Sequence, residues 1–277
     1  MKSLKLQLMT VLAAGFLTSA NAQTGVDKLW ETTSPVQVPE SVLFDGDKKV
    51  LYVAQIDGKA TEKDGKGGIA LVSLDGKDVN ADWVTGLNAP KGMGKHKGKL
   101  YVADIDEVVV IDIKTGKVDS KIAFPNAKFL NDVSVDKTGN VYVSDMQDQK
   151  IYVIKNGVPS VFVDGLQRPN GVLATGKDLL ILDAGTVLKV GADKKTVTVA
   201  EGLDKSTDGI EEVKPGEYIV SAWAGLLYYV KSNGEVKELL DTRDAGYNAA
   251  DIGYNAKKKI IYVPTFMKNS VVAYQLR

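Results

Sequence analysis

Acidic and amide side chains recur at nearly even intervals along this chain, each in a short polar segment that precedes an apolar run. We call these the repeat-start segments; they begin Pro39-Glu40, Pro90-Lys91, Leu130-Asn131, Pro169-Asn170, Thr207-Asp208 and, more weakly, Ala249-Ala250. Four of their second residues are oxygen donors: Glu40, Asn131, Asn170 and Asp208. Two carboxylates and two amides form a ligand set for calcium or a similar hard cation, if the fold brings them together. The same polar side chains could instead hydrate the wall of a channel.

The spacing of the segments indicates the elements that position them. Their second residues are separated by 51, 40, 39, 38 and 42 positions, and each repeat contains four β-rich runs divided by Gly, Asp and Asn turns. A period near 40 with four strands per unit is typical of a β-propeller blade. The sequence therefore predicts an all-β, six-bladed propeller of four-stranded antiparallel blades, built as one domain over residues 23–277.

The two ends of the chain predict how the ring closes. The last repeat stops after its third strand, and the stretch at residues 28–32 precedes the first repeat-start segment where a fourth strand is needed. We expect this N-terminal strand to complete the C-terminal blade and to remove the open edge of that sheet.

Repeat phase separates two kinds of Asn-Gly and Asp-Gly pair. Asn156-Gly157 lies between two strands of one repeat, which predicts an ordinary hairpin turn. Asn170-Gly171 and Asp208-Gly209 instead lie where the chain enters the innermost strand of a blade. Because innermost strands run parallel to the axis of a propeller, side chains at this phase are expected to converge at one mouth of the central channel.

The N-terminus and the composition limit the protein's class. Lys2 and Lys5, a short apolar run and the small residues before Ala22 predict a cleavable signal peptide over residues 1–22, and hence an exported, periplasmic or secreted protein. Without it the chain has 33 basic and 35 acidic residues, a net charge near −2. This balance argues against a nucleic-acid partner, and neither a lipid anchor nor a second apolar span is indicated. Cysteine is absent, which excludes disulfides and thiolate chemistry.

The repeat-start segments with Glu40, Asn131-Asp132, Asn170-Gly171 and Asp208-Gly209 resemble those of the regucalcin, gluconolactonase and luciferin-regenerating enzyme family of six-bladed propellers. The resemblance extends from about Pro39 to the C-terminus. It implies one divalent cation held by Glu40, Asn170 and Asp208, with calcium expected and zinc, manganese or magnesium as alternatives. It also implies that Asn131 lies near the substrate.

Members of this family hydrolyse sugar lactones or related esters, which implies a mechanism. The cation would polarise the carbonyl, and Asp208, or a water it orients, would act as the base. This chain departs from the family pattern at Phe129-Leu130, where an arginine is usual, and this weakens the case for a polyhydroxylated sugar. Lys91 is expected either to bind a substrate carboxylate or, if it points inward, to repel the metal.

Three further features complete the sequence reading. Trp223 and Tyr247 are candidates for an apolar wall of the substrate pocket. The Gly-, Lys- and Asp-rich insertion at residues 58–68 is either a flap over the channel or a disordered decoration. Asp104, Asp145 and Asp183 recur after the second strand of a repeat and are interpreted as caps of loops.

A second function remains open beside the lactone or ester hydrolase. The chain could be a non-catalytic binding propeller of the NHL kind, recognising a small molecule, a sugar or an as yet unknown protein partner. Propellers host both classes, so the fold does not decide between them. His96 is the only histidine, which excludes a multi-histidine zinc site.

Overall fold

The computed structural model describes residues 25–176, 178–191 and 193–277. The predicted signal peptide and its cleavage point after Ala22 lie outside the described residues. Within them the chain forms six four-stranded sheets. In the described part, no helix has the length and apolar character needed to cross a membrane.

The first three blades follow one another in the chain, and each begins with its innermost strand. Blade 1 comprises β2 (Pro39–Asp45), β3 (Val50–Gln55), β4 (Gly67–Ser73) and β5 (Val79–Leu87); blade 2 comprises β6 (Pro90–His96), β7 (Lys99–Asp104), β8 (Glu107–Asp112) and β9 (Lys117–Ala123); blade 3 comprises β10 (Leu130–Val135), β11 (Val141–Asp145), β12 (Lys150–Lys155) and β13 (Val158–Val163).

The last three blades repeat this order, and the ring is closed by the first strand of the chain. Blade 4 comprises β14 (Pro169–Thr175), β15 (Asp178–Asp183), β16 (Thr186–Val190) and β17 (Thr196–Ala200); blade 5 comprises β18 (Thr207–Lys214), β19 (Glu217–Ala222), β20 (Leu226–Lys231) and β21 (Val236–Asp241); blade 6 comprises β22 (Gly253–Asn255), β23 (Ile260–Pro264), β24 (Val271–Leu276) and β1 (Val26–Glu31). A 3-10 turn, Phe266–Lys268, joins β23 to β24.

Ring closure takes the predicted form. β1 pairs antiparallel with β24, from Val26 opposite Leu276 to Glu31 opposite Val272. The strand begins two residues earlier and ends one residue earlier than the predicted stretch at 28–32. Each blade thus has four strands, and the fold prediction is confirmed.

The hydrophobic core lies between neighbouring blades. One cluster joins Leu180 and Leu182 of blade 4 to Val220 and Ala222 of blade 5, all nearly or fully buried. Similar clusters fill the other seams because alternate side chains of each strand face the adjacent sheet. The blades are therefore held by face-to-face packing, which leaves the axis of the ring free to form a channel.

Glycines at the start of the innermost strands allow those strands to approach one another. A Cβ atom added to Gly171 would lie 2.3 Å from the carbonyl oxygen of Asp208, and one added to Gly209 would lie 2.5 Å from the backbone nitrogen of Ile252. By contrast Asn156-Gly157 has positive φ at both residues, as a tight hairpin requires. The predicted distinction between the two kinds of glycine pair is confirmed.

The insertion at residues 58–68 ends in a strand. Gly67 and Gly68 belong to β4, where Gly68 pairs with Gln55. The remainder is a loop whose Lys63 contacts Asp106 of blade 2 at 2.6 Å. Both interpretations of the insertion, a flap and a disordered decoration, stay predictions.

Candidate functional site

The predicted site residues do converge. Glu40, Lys91, Asn131, Asn170 and Asp208 are the second residues of β2, β6, β10, β14 and β18. All five line one cavity of about 220 Å³ at the mouth of the channel where the innermost strands begin. Their exposed fractions range from 1% for Lys91 to 8% for Asn170. We call these five side chains the polar floor of the cavity; they are shielded from bulk water.

Three recurring aspartates position this floor. Asp104 accepts hydrogen bonds from the backbone nitrogens of residues 88 and 89, immediately before the second repeat-start segment. Asp145 does the same for residues 128 and 129, and Asp183 for residues 167 and 168. A buried carboxylate that satisfies two backbone donors holds the loop in one conformation. The interpretation of these aspartates as structural caps is confirmed. The backbone segments that they cap lie directly before Lys91, Asn131 and Asn170.

Two acceptor atoms on the floor have no hydrogen-bond partner. The Asn170 Nδ2 group donates to Asp208 Oδ1 at 3.0 Å, so the Asn170 Oδ1 atom is turned away from that carboxylate. Neither Asn170 Oδ1 nor Glu40 Oε2 accepts a hydrogen bond from any described residue, and both atoms are buried. Leaving a buried acceptor unsatisfied costs about 1–3 kcal/mol, and a ligand at this point would offset that cost.

The electrostatics of the floor favour a positive ligand. Burial raises the pKa of Glu40 well above its usual value, and the nearby Asp208 raises it further, whereas Lys91 opposes the shift. Burial and the more distant Asp132 raise the pKa of Asp208 to about 8, against a smaller lowering by the hydrogen bond from Asn170. Carboxylates whose charge is disfavoured in this way gain from a cation placed between them.

Lys91 points into the site. Its Nζ group donates to the backbone oxygen of Ala89 at 2.8 Å and lies 4.5 Å from the centre of the Phe129 ring. Burial lowers the pKa of Lys91, while the charge of Glu40 acts in the opposite direction. Phe129, at the position where the resemblance leads one to expect arginine, thus supports a neighbouring cation through its ring face.

The donor set fits a hard divalent cation. Carboxylate and amide oxygens from Glu40, Asn170 and Asp208 share one cavity, and two of these side chains carry the unsatisfied acceptors. Among the described residues no group of three or more His, Cys, Asp or Glu side chains is arranged to hold a metal ion. The third protein ligand here would therefore be the amide oxygen of Asn170, which is an accepted calcium ligand.

The wall of the cavity contains residues that sequence reasoning missed. They are mainly apolar and come from loops as well as strand ends: Ile56, Ala60, Phe129, Met146, Arg168, Ser206 and Phe266. Phe129, Arg168 and Ser206 each directly precede a repeat-start segment, so their positions were a usable signal. The others had none, because the conformations of the loops that carry Ala60 and Phe266 depend on contacts between blades.

The two predicted aromatic wall residues have different outcomes. Trp223 lines the cavity as expected. Tyr247 does not line it: its ring packs against the core between blades 5 and 6 and lies 5.4 Å from Lys268 Nζ. The substrate-binding role predicted for Tyr247 is therefore corrected, because the loop after β21 turns its side chain toward the seam of the two blades.

A second cavity of about 200 Å³ lies further along the channel. Its lining includes the acidic residues Asp132, Glu211 and Asp251. Asp132 accepts a hydrogen bond from the backbone nitrogen of Val172 in the next blade, and Asp251 accepts one from the hydroxyl of Ser41 across the ring closure. Two of the three acids therefore join neighbouring blades.

Comparisons with known proteins agree with the fold. A streptogramin B lyase matches with a TM-score of 0.67 and 10% identity over 92% of this chain and 98% of that protein. A catalytically inactive histidine-to-alanine variant of virginiamycin B lyase from Staphylococcus aureus, with quinupristin, matches with a TM-score of 0.64 and 13% identity over 92% and 100%. A protein of unknown function from Bacteroides thetaiotaomicron matches with a TM-score of 0.71 and 11% identity over 92% and 76%.

No protein-family model matches the chain, and no curated protein matches it. At identities of 10–13% the structural matches establish architecture and leave chemistry to the site. The chain is a six-bladed β-propeller, and its resemblance to the regucalcin and gluconolactonase family stays a prediction.

Proposed function

We propose that this propeller is a hydrolase of a lactone or related ester that works with a divalent cation, calcium first among the candidates. The single observation that carries the proposal is the pair of buried, unsatisfied acceptors Glu40 Oε2 and Asn170 Oδ1 in a cavity shared with Asp208. A cation bound there supplies Lewis acidity toward an ester carbonyl. Glu40, Asn170 and Asp208 would hold it.

The remaining residues have distinct roles in this proposal. Asp208, whose Oδ1 atom already accepts from Asn170, would use its other oxygen to orient or deprotonate the attacking water. Asn131 lines the same cavity and would hold the substrate or that water. Lys91 would face the acyl oxygen or a substrate carboxylate.

The lyase activity named for two structural neighbours is a poorer match. The inactive neighbour variant replaces a histidine. His96, the only histidine of this chain, is the last residue of β6, whereas the candidate site lies at the first residues of that strand. No histidine is therefore available at the mouth that carries Glu40.

The alternative is a binding propeller without catalysis. The inward-pointing Lys91 favours it, since an ammonium group beside Glu40 partly neutralises the floor without any metal. In that case Glu40 and Asp208 would recognise a cationic or hydrogen-bonding ligand.

Calcium titration combined with thermal unfolding tests the proposal. A cation that binds only the native state stabilises it and so raises the transition temperature. At a cation concentration of a hundred times Kd, the free energy of unfolding increases by about 2.7 kcal/mol. We expect this rise in the wild type and its loss in Glu40→Gln and Asp208→Ala, both of which should keep a cooperative transition because they lie at a channel mouth. Lactone hydrolysis should fall in parallel.

Absence of a rise with calcium, zinc, manganese or magnesium would remove the metal-dependent hydrolase and favour the binding propeller. Loss of cooperative unfolding in Asp208→Ala would instead show that this position is structural. Asp119→Asn, a change at an exposed ion pair remote from the cavity, serves as the matched control.

A further inference from the structure

Above its polar floor the candidate site has an apolar wall. Ile56, Ala60, Phe129, Met146, Trp223 and Phe266 contribute side chains to it. The polar groups of the wall are the Arg168 and Ser206 side chains, and Arg168 Nε already lies 3.2 Å from Met146 Sδ. A ligand would therefore find hydrogen-bonding groups at the floor and mainly hydrocarbon and aromatic surface above it.

Trp223 and Phe266 form an aromatic pair that bridges blades 5 and 6. Their ring centroids lie 5.5 Å apart at 77°, the edge-to-face arrangement that aromatic rings prefer. Trp223 lines the cavity and is 40% exposed, so part of its ring surface is open to the cavity and to solvent. The pair presents apolar surface that the protein's own side chains leave uncovered.

The backbone holds this pair in place at a conformational cost. Phe266 has a φ of +49°, a backbone conformation that bulky residues rarely adopt. The turn is fixed by Thr265 and Ser270, whose backbone and hydroxyl groups exchange hydrogen bonds of 2.8 and 3.1 Å. Asn248 connects the turn to blade 5: its side chain donates to the backbone oxygen of Trp223 at 2.9 Å and accepts from the backbone nitrogen of Met267 at 3.5 Å.

We propose that the cavity selects lactones or esters that carry an aliphatic or aromatic substituent, with this substituent against Trp223 and Phe266 and the carbonyl on the Glu40 floor. The inference rests on the proposed function and narrows its substrate class. A sugar lactone is disfavoured because each hydroxyl facing the apolar wall would lose its water without gaining a partner.

Binding of compounds that cannot be hydrolysed tests the selectivity separately from catalysis. Cyclopentanone and its 2-propyl, 2-butyl, 2-pentyl and 2-hexyl derivatives keep a carbonyl and vary only the apolar chain. In calorimetric titrations of the mature protein with calcium, we expect affinity to rise about threefold to fourfold per added methylene until the cavity is filled. Trp223→Ala and Phe266→Ala should flatten this dependence, and Trp223→Phe should keep most of it.

Met267→Ala is the matched control, since Met267 adjoins Phe266 but is 68% exposed and does not line the cavity. Circular dichroism and thermal unfolding establish that each variant is folded. A chain-length dependence that is absent in the wild type, or unchanged in both aromatic variants, overturns the proposal.

Hydrolysis of γ-lactones with the same alkyl series, beside glucono-δ-lactone, separates the two hypotheses. If ketone affinity rises with chain length but no lactone is hydrolysed, the proposed hydrolase is contradicted. The preference for apolar ligands would then be a property of a binding site without catalysis. Hydrolysis that favours glucono-δ-lactone, or that ignores chain length, supports the hydrolase and overturns the apolar substrate class.

Discussion

The buried ammonium of Lys91 shares the cavity floor with the carboxylate of Glu40 and influences how strongly the site holds a cation. Among the described residues no side-chain hydrogen bond joins Lys91 to an acid, and its Nζ instead contacts the Ala89 backbone and the Phe129 ring. The charge is therefore fixed near the acids without occupying their free oxygens. This arrangement leaves the floor open to a second cation while opposing it electrostatically.

Lys91→Met should strengthen calcium binding. Methionine keeps the length and apolar packing of the lysine stem but removes a positive charge that repels the metal, and we expect about a tenfold gain in affinity, equal to about 1.4 kcal/mol. Isothermal titration measures the effect, with the exposed Lys77→Met as control. Unchanged or weaker binding would mean that the ammonium does not oppose the cation.

On the scale of strands and loops, the capping aspartates convert a repeated sequence position into a defined site. Asp145 is fully buried and accepts hydrogen bonds from the backbone nitrogens of residues 128, 129, 147 and 148, at distances of 2.7–3.1 Å. It therefore connects the segment before Asn131 to the turn that follows β11. The geometry of the site depends on such elements as much as on the ligating side chains.

Asp145→Ala should destabilise the fold far more than Asp208→Ala. It leaves four backbone donors without their acceptor, one of them buried and three partly buried, and we expect a loss of about 3–5 kcal/mol in the free energy of unfolding. Urea unfolding of both variants measures the difference. Equal losses of unfolding free energy in the two variants would show that Asp208 on the cavity floor contributes to stability as strongly as the capping residue Asp145.

The turn between β11 and β12 also predicts part of the response to acid. Hydrogen bonds from Lys150 and Tyr152 lower the pKa of Asp148 to about 2. A carboxyl whose pKa is lower in the folded state stabilises the fold above its unfolded pKa of about 4, and this contribution is lost as the pH falls from about 4 to 2.

Asp148→Asn should therefore lower the transition temperature at pH 7 by about 2–4 °C and weaken its fall between pH 5 and 2. Thermal unfolding across this range measures both effects. Asp119→Asn, at an exposed ion pair, is the control for removing one carboxyl charge. A fall in the transition temperature of Asp148→Asn as steep as that of the wild type would contradict the assignment.

For the whole molecule, the joint between blades 1 and 6 decides whether the ring stays closed. The first strand pairs with the last within blade 6, where Trp30 of β1 lies 5.9 Å from Tyr262 of β23 between ring centroids. Both rings pack in the hydrophobic cluster that joins blade 6 to blade 1. Ser41 donates to Asp251 at 2.6 Å across the same joint near the axis. The ring is thus fastened both at its rim and at its centre.

Trp30→Ala should cost about 2–3 kcal/mol, because it removes a large half-buried ring from this joint, and should lower the transition temperature by several degrees. Leu29→Ala, in the same strand but 47% exposed, is the control and should change stability little. Similar effects of the two changes would show that β1 contributes through backbone pairing alone.

Repeat spacing was sufficient to predict the architecture and the place of the polar floor. A repeated phase implies rotational symmetry about one axis, so Glu40, Lys91, Asn131, Asn170 and Asp208 had to meet once the repeats were recognised as blades. The N-terminal strand could be assigned for the same reason, because a ring that lacks one strand must obtain it from the other end of the chain.

The tertiary structure alone decided which atoms of that floor are free and what surrounds them. Glu40 Oε2 and Asn170 Oδ1 are unsatisfied because of side-chain orientations that repeat spacing does not encode. Ala60 and Phe266 reach the cavity, and Tyr247 does not, because their loops are shaped by contacts between blades distant in sequence. Repeats specify strands through local patterns, whereas loop conformations are settled only by long-range packing.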